Sequence, residues 1–220
     1  MNTKPYTFET FITTPSNRQA RIAAEKVCRF PGGVSRNPLV FYGKQGTGKT
    51  HLLHAMAASF LENDIPNICV PAHQMAREMI ESIQNRNIGV FEELYQQADV
   101  LLIDDIDDLV RKEVTQKSVL HLVEDLLKQG KQVVITGNEL LFENSMLLSS
   151  LRELLSRGLS VQLDTPDLEA KTAVVEETLS NHGIHWPRAA CMYVAAKAND
   201  SINQLEGELN KVEFLCSCNR

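Results

Sequence analysis

The 220 residues amount to one large domain, or one domain with a small appendage, with the 43 % hydrophobic and 23 % charged content of an ordinary globular chain. No apolar run approaches the roughly 20 residues of a membrane span, and the polar N-terminus has no signal-peptide core. Five scattered cysteines make no disulfide scaffold, so the expected compartment is the cytoplasm. A net charge of −6 argues against a general duplex-DNA binder, which presents a basic face to displace counterions from phosphate.

The first strand-like run, 39–42, opens onto Gly43-Lys44-Gln45-Gly46-Thr47-Gly48-Lys49-Thr50. Gly43, Gly46 and Gly48 let the backbone bend around an anion, so that N–H groups such as that of Thr47 converge on the α- and β-phosphates of a nucleotide. Lys49 has the reach for β- and γ-phosphate oxygens, and the Thr50 hydroxyl suits a magnesium ion. Leu52, Leu53, Met56 and Phe60 follow at helical spacing, which predicts a helix over 51–63 with its positive end on the same phosphates.

Further β-rich runs lie at 67–70, 100–104, 132–136 and 159–163, and helical patterns at 73–85, 90–97, 113–129 and 145–156. This alternation predicts a mostly parallel sheet with helices on both faces and a ligand at the carboxyl ends of the strands. Gly130 is placed to end the helix before the fourth strand. The run Val100-Leu101-Leu102-Ile103 ends in Asp104 and Asp105. Asp104 at the strand tip is placed to hold magnesium through water, and Asp105 to orient an attacking water. Asp107 and Asp108 read as solvated loop residues. The fourth strand runs into Gly137-Asn138, where Asn138 either faces the γ-phosphate between the two acidic positions or simply makes a turn.

The strand signal stops after Asp164-Thr165-Pro166-Asp167. Helical patterns at 167–181, 188–199 and 201–216 predict a small lid, so the chain divides into an α/β nucleotide-binding core over 1–164 and a helical lid over 165–220. His182 and His185 read as a loop pair, and Cys216 and Cys218 as free thiols.

Several stretches resemble the AAA+ core of the DnaA family of bacterial chromosomal replication initiators. They are Tyr6-Thr7-Phe8-Glu9-Thr10-Phe11, Asn37-Pro38-Leu39, the run from Gly48 through Thr50-His51-Leu52-Leu53-His54 to Ala55, the strand ending in Asp104-Asp105-Ile106, Pro166-Asp167-Leu168-Glu169 and Leu205-Glu206-Gly207. The resemblance covers nearly the whole chain in order. It implies ATP/ADP and Mg2+ as cofactors, with Phe8, Phe11 and Asn17 bordering the adenine and His51 beside the loop. It also implies head-to-tail self-association, in which an arginine of one subunit meets the nucleotide of its neighbour. In the family this core lies between an interaction domain and a helix-turn-helix domain. The chain is thus expected to be an excised core or a naturally short relative, with origin DNA met mainly elsewhere and initiator or helicase proteins as partners.

Departures from the family pattern narrow these expectations. The family's sensor aspartate corresponds to Asn138, and its lid arginine to Asn203, which carries no positive charge. Arg157 is the candidate finger, with Arg152 the fallback. A basic segment that grips single-stranded DNA in the family corresponds to Phe91-Glu92-Glu93-Leu94-Tyr95, whose carboxylates repel a phosphate backbone. The expected function is an ATP-loaded assembly module of an initiator, with slow hydrolysis. A regulator similar to Hda and, further off, a small-molecule P-loop kinase are the competing readings.

Overall fold

The computed structural model describes residues 6–33, 36–85, 87–181 and 183–198, together with 204, 205, 207 and 209. The five apolar runs form one parallel sheet: β1 (Leu39–Tyr42), β2 (Asn67–Pro71), β3 (Val100–Asp104), β4 (Gln132–Gly137) and β5 (Leu159–Gln162). The strand order is β2-β3-β4-β1-β5, which sets β4 between the phosphate-loop strand and the acidic strand. Among the described residues, eight α-helices connect and cover them: α1 (Arg18–Arg29), α2 (Lys49–Glu62), α3 (Ala72–Gln84), α4 (Ile88–Gln96), α5 (Glu113–Lys128), α6 (Ser149–Arg157), α7 (Leu168–Asn181) and α8 (Arg188–Lys197).

Strand residues alternate between two cores, as the pleat requires. Leu39, Phe41, Val100, Leu102 and Val134 pack with Leu52, Leu53, Met56 and Phe60 of α2 and the small face of α1. Val40, Leu101, Ile103, Val133 and Ile135 pack on the other face against α3, α4, α5 and α6. Both faces are therefore covered, which is why the strands read as near-continuous apolar runs. Beyond the sheet a third cluster joins Val174, Val175, Leu179, Cys191, Val194 and Ala195 with Leu205 and Leu209.

Strand boundaries agree with the sequence reading to within a residue. Gly130 takes φ +74° just past α5, and the Lys131 N–H returns to the Leu126 carbonyl, closing that helix as expected. Helix α1 was not foreseen. Its buried face is Ala20, Ala23, Ala24 and Val27 at a helical 3-1-3 spacing, opposite the exposed Arg18, Lys26 and Arg29, so the segment is plainly amphipathic and was legible in the sequence. A short 3-10 helix over Ile106–Leu109 was also missed. The region expected to form the third lid helix, with Asn203, Cys216 and Cys218, lies largely outside the described residues, as does His182.

Candidate functional site

The register brings three strand tips to one level. Tyr42 pairs with Gly137, and Ile103 with Ile135, so the loop leaving β1, the end of β4 and the acidic end of β3 share the carboxyl edge of the sheet. Their side chains converge there.

In the phosphate loop, Gly46 and Gly48 have φ +78° and +96°, backbone that a side chain would strain. At Gly48 an added Cβ would also lie 3.2 Å from the Phe11 ring. The Thr47 hydroxyl is buried and donates to the Lys44 carbonyl at 2.9 Å, so it holds the turn, leaving its backbone N–H for a ligand. Helix α2 begins at Lys49, and the Leu52 N–H bonds Gly48 O, so the N–H groups before it lack intrahelical partners. Lys49 is buried, its ammonium donating to the Gly43 and Lys44 carbonyls at 2.8 Å each. Burial lowers its pKa, against the opposing pull of Asp105, Asp104, Asp107 and Glu139.

One residue organises the acidic tip. The Thr136 hydroxyl in β4 donates to the buried Asp104 carboxylate and accepts the Asp105 N–H at 2.8 Å. Asp105 is held at φ +51°. It is exposed, yet partial desolvation and the neighbouring Asp104 push its carboxyl above the usual carboxylate range, with Lys49 opposing. Thr136 was read only as a strand residue; its role comes from its position beside β3 and had no local signal. Thr136→Val is expected to cost about 2 kcal/mol, because it leaves a buried carboxylate oxygen and an N–H without their partner. Chemical denaturation checks this, and a loss under about 0.5 kcal/mol would show that the hydroxyl is not the tie.

A strap over residues 6–17 roofs the loop. Thr7 and Thr10 bond reciprocally through backbone N–H and hydroxyl groups, and Arg21 of α1 donates to the Phe11 carbonyl at 3.3 Å and the Thr13 hydroxyl at 2.7 Å. Phe11 is buried and meets His51 edge-on at 5.3 Å between ring centroids. His51 Nε2 lies 3.1 Å from the Thr7 carbonyl and 3.3 Å from the Thr10 hydroxyl, and burial lowers its pKa. Phe8 packs half-buried at the edge of the same core. Asn17 is buried, but its amide is committed to the strap backbone, accepting from Thr14 N–H at 2.8 Å and donating to Ile12 O at 3.0 Å. Tyr6, Phe11 and Ile12 of the strap, Gln45, Gly46, Gly48, Lys49, Thr50 and His51 of the loop, and Asp105 line a cleft of about 210 Å3.

Asn138 is exposed, and its side-chain oxygen accepts the Leu140 N–H at 2.9 Å, making the turn that was one of its two readings. Asp107 is not a solvated loop residue: it is half-buried, its carboxylate accepts the Asn138 N–H at 2.6 Å, and desolvation raises its pKa. Asp108 is exposed and pairs with His73 at 3.0 Å. Arg157 ends α6 and pairs with Glu153 at 2.9 Å. It stands just before β5, whose Leu159 is level with Leu39 at the start of β1, so it lies on the edge of the sheet opposite the phosphate loop. Arg152 donates to the Phe142 carbonyl at 3.3 Å. In α4, Phe91 and Tyr95 are buried, the Tyr95 hydroxyl donating to Glu78 at 2.7 Å, while Glu93 faces solvent.

The strand order, the phosphate loop and the carboxylate-tipped strand set one strand away from it define a P-loop domain of the AAA+ type. The family described as the bacterial DnaA ATPase domain matches residues 2–162. A chromosomal replication initiator protein DnaA from Lactiplantibacillus plantarum is 37 % identical over 210 residues, 94 % of this chain and 46 % of that protein. One from Nautilia profundicola is 36 % identical over 96 % of this chain and 48 % of its own length. Domain III of the Thermotoga maritima replication initiation protein DnaA superposes with a TM-score of 0.88 at 29 % identity, covering 99 % of this chain and 91 % of that one. A replication initiator DnaA bound to AMPPCP and single-stranded DNA gives 0.89 at 25 % identity, over 96 % of this chain and 65 % of that chain. The chain belongs to the bacterial DnaA ATPase domain family. It spans about half the length of the curated relatives it matches.

Proposed function

We propose that this chain is the ATP-binding AAA+ module of a DnaA-type initiator of chromosomal replication, working in the cytoplasm as an ATP/ADP switch for assembly. The observation that carries the reading is the convergence of Lys49, Asp104 and Asp105 at one level of the sheet beneath an aromatic strap, in a chain of this family. Among the described residues no helix is long and apolar enough to cross a membrane.

In this reading Gly43, Gly46, Thr47, Gly48 and Lys49 hold the phosphates, and Phe8, Phe11 and His51 border the base. Asn17 acts through the strap backbone that its amide ties. A hard cation suits the oxygen donors at the tip: the buried Asp104 carboxylate has one oxygen bonded by Thr136, and the Thr50 hydroxyl stands in the first turn of α2. Asp104 and Thr50 would hold Mg2+, whose contribution is to neutralise phosphate charge. Asp105 would orient the attacking water, with Asn138 contributing through its side-chain nitrogen, since its oxygen is bonded in the turn. Residues 1–164 form the core in this scheme and 165–220 its lid. AMPPCP in a structural relative supports the nucleotide class. Contact with origin DNA, and with initiator or helicase partners, is assigned mainly to parts of the relatives outside this stretch.

Arg157 fits action on a neighbour's nucleotide, since it stands on the edge of the sheet opposite its own phosphate loop. An arginine finger is worth roughly 10³–10⁵ in rate, so the isolated subunit is expected to hydrolyse ATP slowly and to associate head-to-tail when ATP is bound. Light scattering with ATP and with ADP, alongside a phosphate-release assay, tests both. Turnover of several per second in dilute monomer, or a mass indifferent to nucleotide, would overturn the switch reading.

A further inference from the structure

The Gly137–Asn138 peptide is gripped at both ends. Its carbonyl accepts the N–H of Gly43, the first residue of the phosphate loop, at 3.3 Å. Its N–H donates to the Asp107 carboxylate at 2.6 Å, the shorter and charge-assisted bond of the two. A trans peptide is planar, and its C=O and N–H point in opposite directions, so turning one end turns the other. The side-chain oxygen of Asp107 that bonds Asn138 also sits against Gly137, where an added Cβ would come within 3.1 Å of it. The other carboxylate oxygen is buried and has no hydrogen-bond partner among the described residues. Thr136, one residue back on the same strand, already fixes Asp104 and Asp105. The end of β4 is therefore joined to the acidic segment 104–107 by three hydrogen bonds and to the phosphate loop by one.

We infer that Asp107 is a positioning residue for nucleotide discrimination: by clamping the 137–138 peptide it sets the orientation of the Asn138 turn relative to the phosphate loop, and so favours a nucleotide carrying a γ-phosphate over one that lacks it. This rests on the nucleotide-switch reading above. Asp107 touches no nucleotide in this scheme. It acts through a backbone group, at a place where the short 3-10 helix after β3 brings a third carboxylate back toward β4.

The test measures, by calorimetry, the affinity for a non-hydrolysable ATP analogue and for ADP in the wild-type chain, Asp107→Ala and Asp107→Asn. Asp107→Ala frees the peptide and is expected to lower the ATP-analogue preference roughly tenfold, the size of one charge-assisted hydrogen bond, with ADP affinity within about twofold of wild type. Asp107→Asn retains an oxygen that accepts the Asn138 N–H and is expected to recover at least half of the lost preference on a logarithmic scale. A merely structural role would weaken both nucleotides together. Equal preference in the wild type and Asp107→Ala, or parallel loss of both affinities, or no recovery in Asp107→Asn, overturns the inference. A wild-type chain that binds neither nucleotide overturns the switch reading itself, which separates the two failures.

Discussion

Replacing Lys49 with alanine is expected to abolish measurable nucleotide binding while leaving the fold in place. The ammonium is almost fully enclosed and is held by two loop carbonyls at 2.8 Å. Burial works against its charge, and the carboxylates of Asp105, Asp104, Asp107 and Glu139 restore it. Truncation removes the cation by which the phosphate loop faces this acidic tip, so incoming phosphates lose their charge-assisted bonds and meet the carboxylates without it. Two such bonds at about 1.5 kcal/mol each correspond to roughly a hundredfold in affinity before the added repulsion is counted. The Lys44 carbonyl left behind belongs to an exposed residue, but that of Gly43 is buried, so about 1–2 kcal/mol and several degrees of melting temperature are expected to be lost with the cooperative transition retained. Calorimetric titration with ATP, paired with a thermal melt, checks both halves; an unchanged affinity would remove Lys49 from the site.

Gly43→Ala is expected to be the most destabilising single-methyl change in the loop. Gly43 has φ +153°, and an added Cβ would lie 2.2 Å from the Leu163 carbonyl oxygen and 3.1 Å from its carbon. That carbonyl cannot step aside cheaply, because the Leu163 N–H is bonded to Tyr42 O at 2.8 Å, immediately before Gly43. Relief requires the end of β5 to part from β1, breaking the junction from which the phosphate loop departs. Backbone strain and overpacking together put the cost at about 3–5 kcal/mol, or a fall of on the order of 10 °C in melting temperature for a chain of this size. Gly130→Ala is the control. It also has positive φ, +74°, but nothing lies within 4 Å of the added atom, so only about 1 kcal/mol is expected. Equal melting temperatures for the two variants would show that the Leu163 contact does not matter.

The two kinds of information in this chain divide by distance along the backbone. Strands, most helices, the phosphate loop and the acidic strand tip each depend on a few adjacent residues, through alternation, helical spacing and the backbone freedom of glycine, and all were legible locally. Helix α1 was legible by the same criterion, with Ala20, Ala23, Ala24 and Val27 facing in and Arg18, Lys26 and Arg29 facing out, although the strand-by-strand alternation begins only after it. The pairings that tune the site were not legible. Thr136 bonds residues 31 and 32 positions away, Asp107 reaches Asn138 across 31, and Gly43 is barred from a side chain by Leu163, 120 positions on. Charge pattern alone made Asp107 look solvated, and the β2-β3-β4-β1-β5 order set it against β4. The amino-acid order thus specifies a nucleotide-binding loop and the elements around it, because those follow from local backbone preference and periodicity. Which carboxylate holds which peptide, and which edge of the sheet Arg157 occupies, follow from strand order and register, which no short stretch of the chain contains.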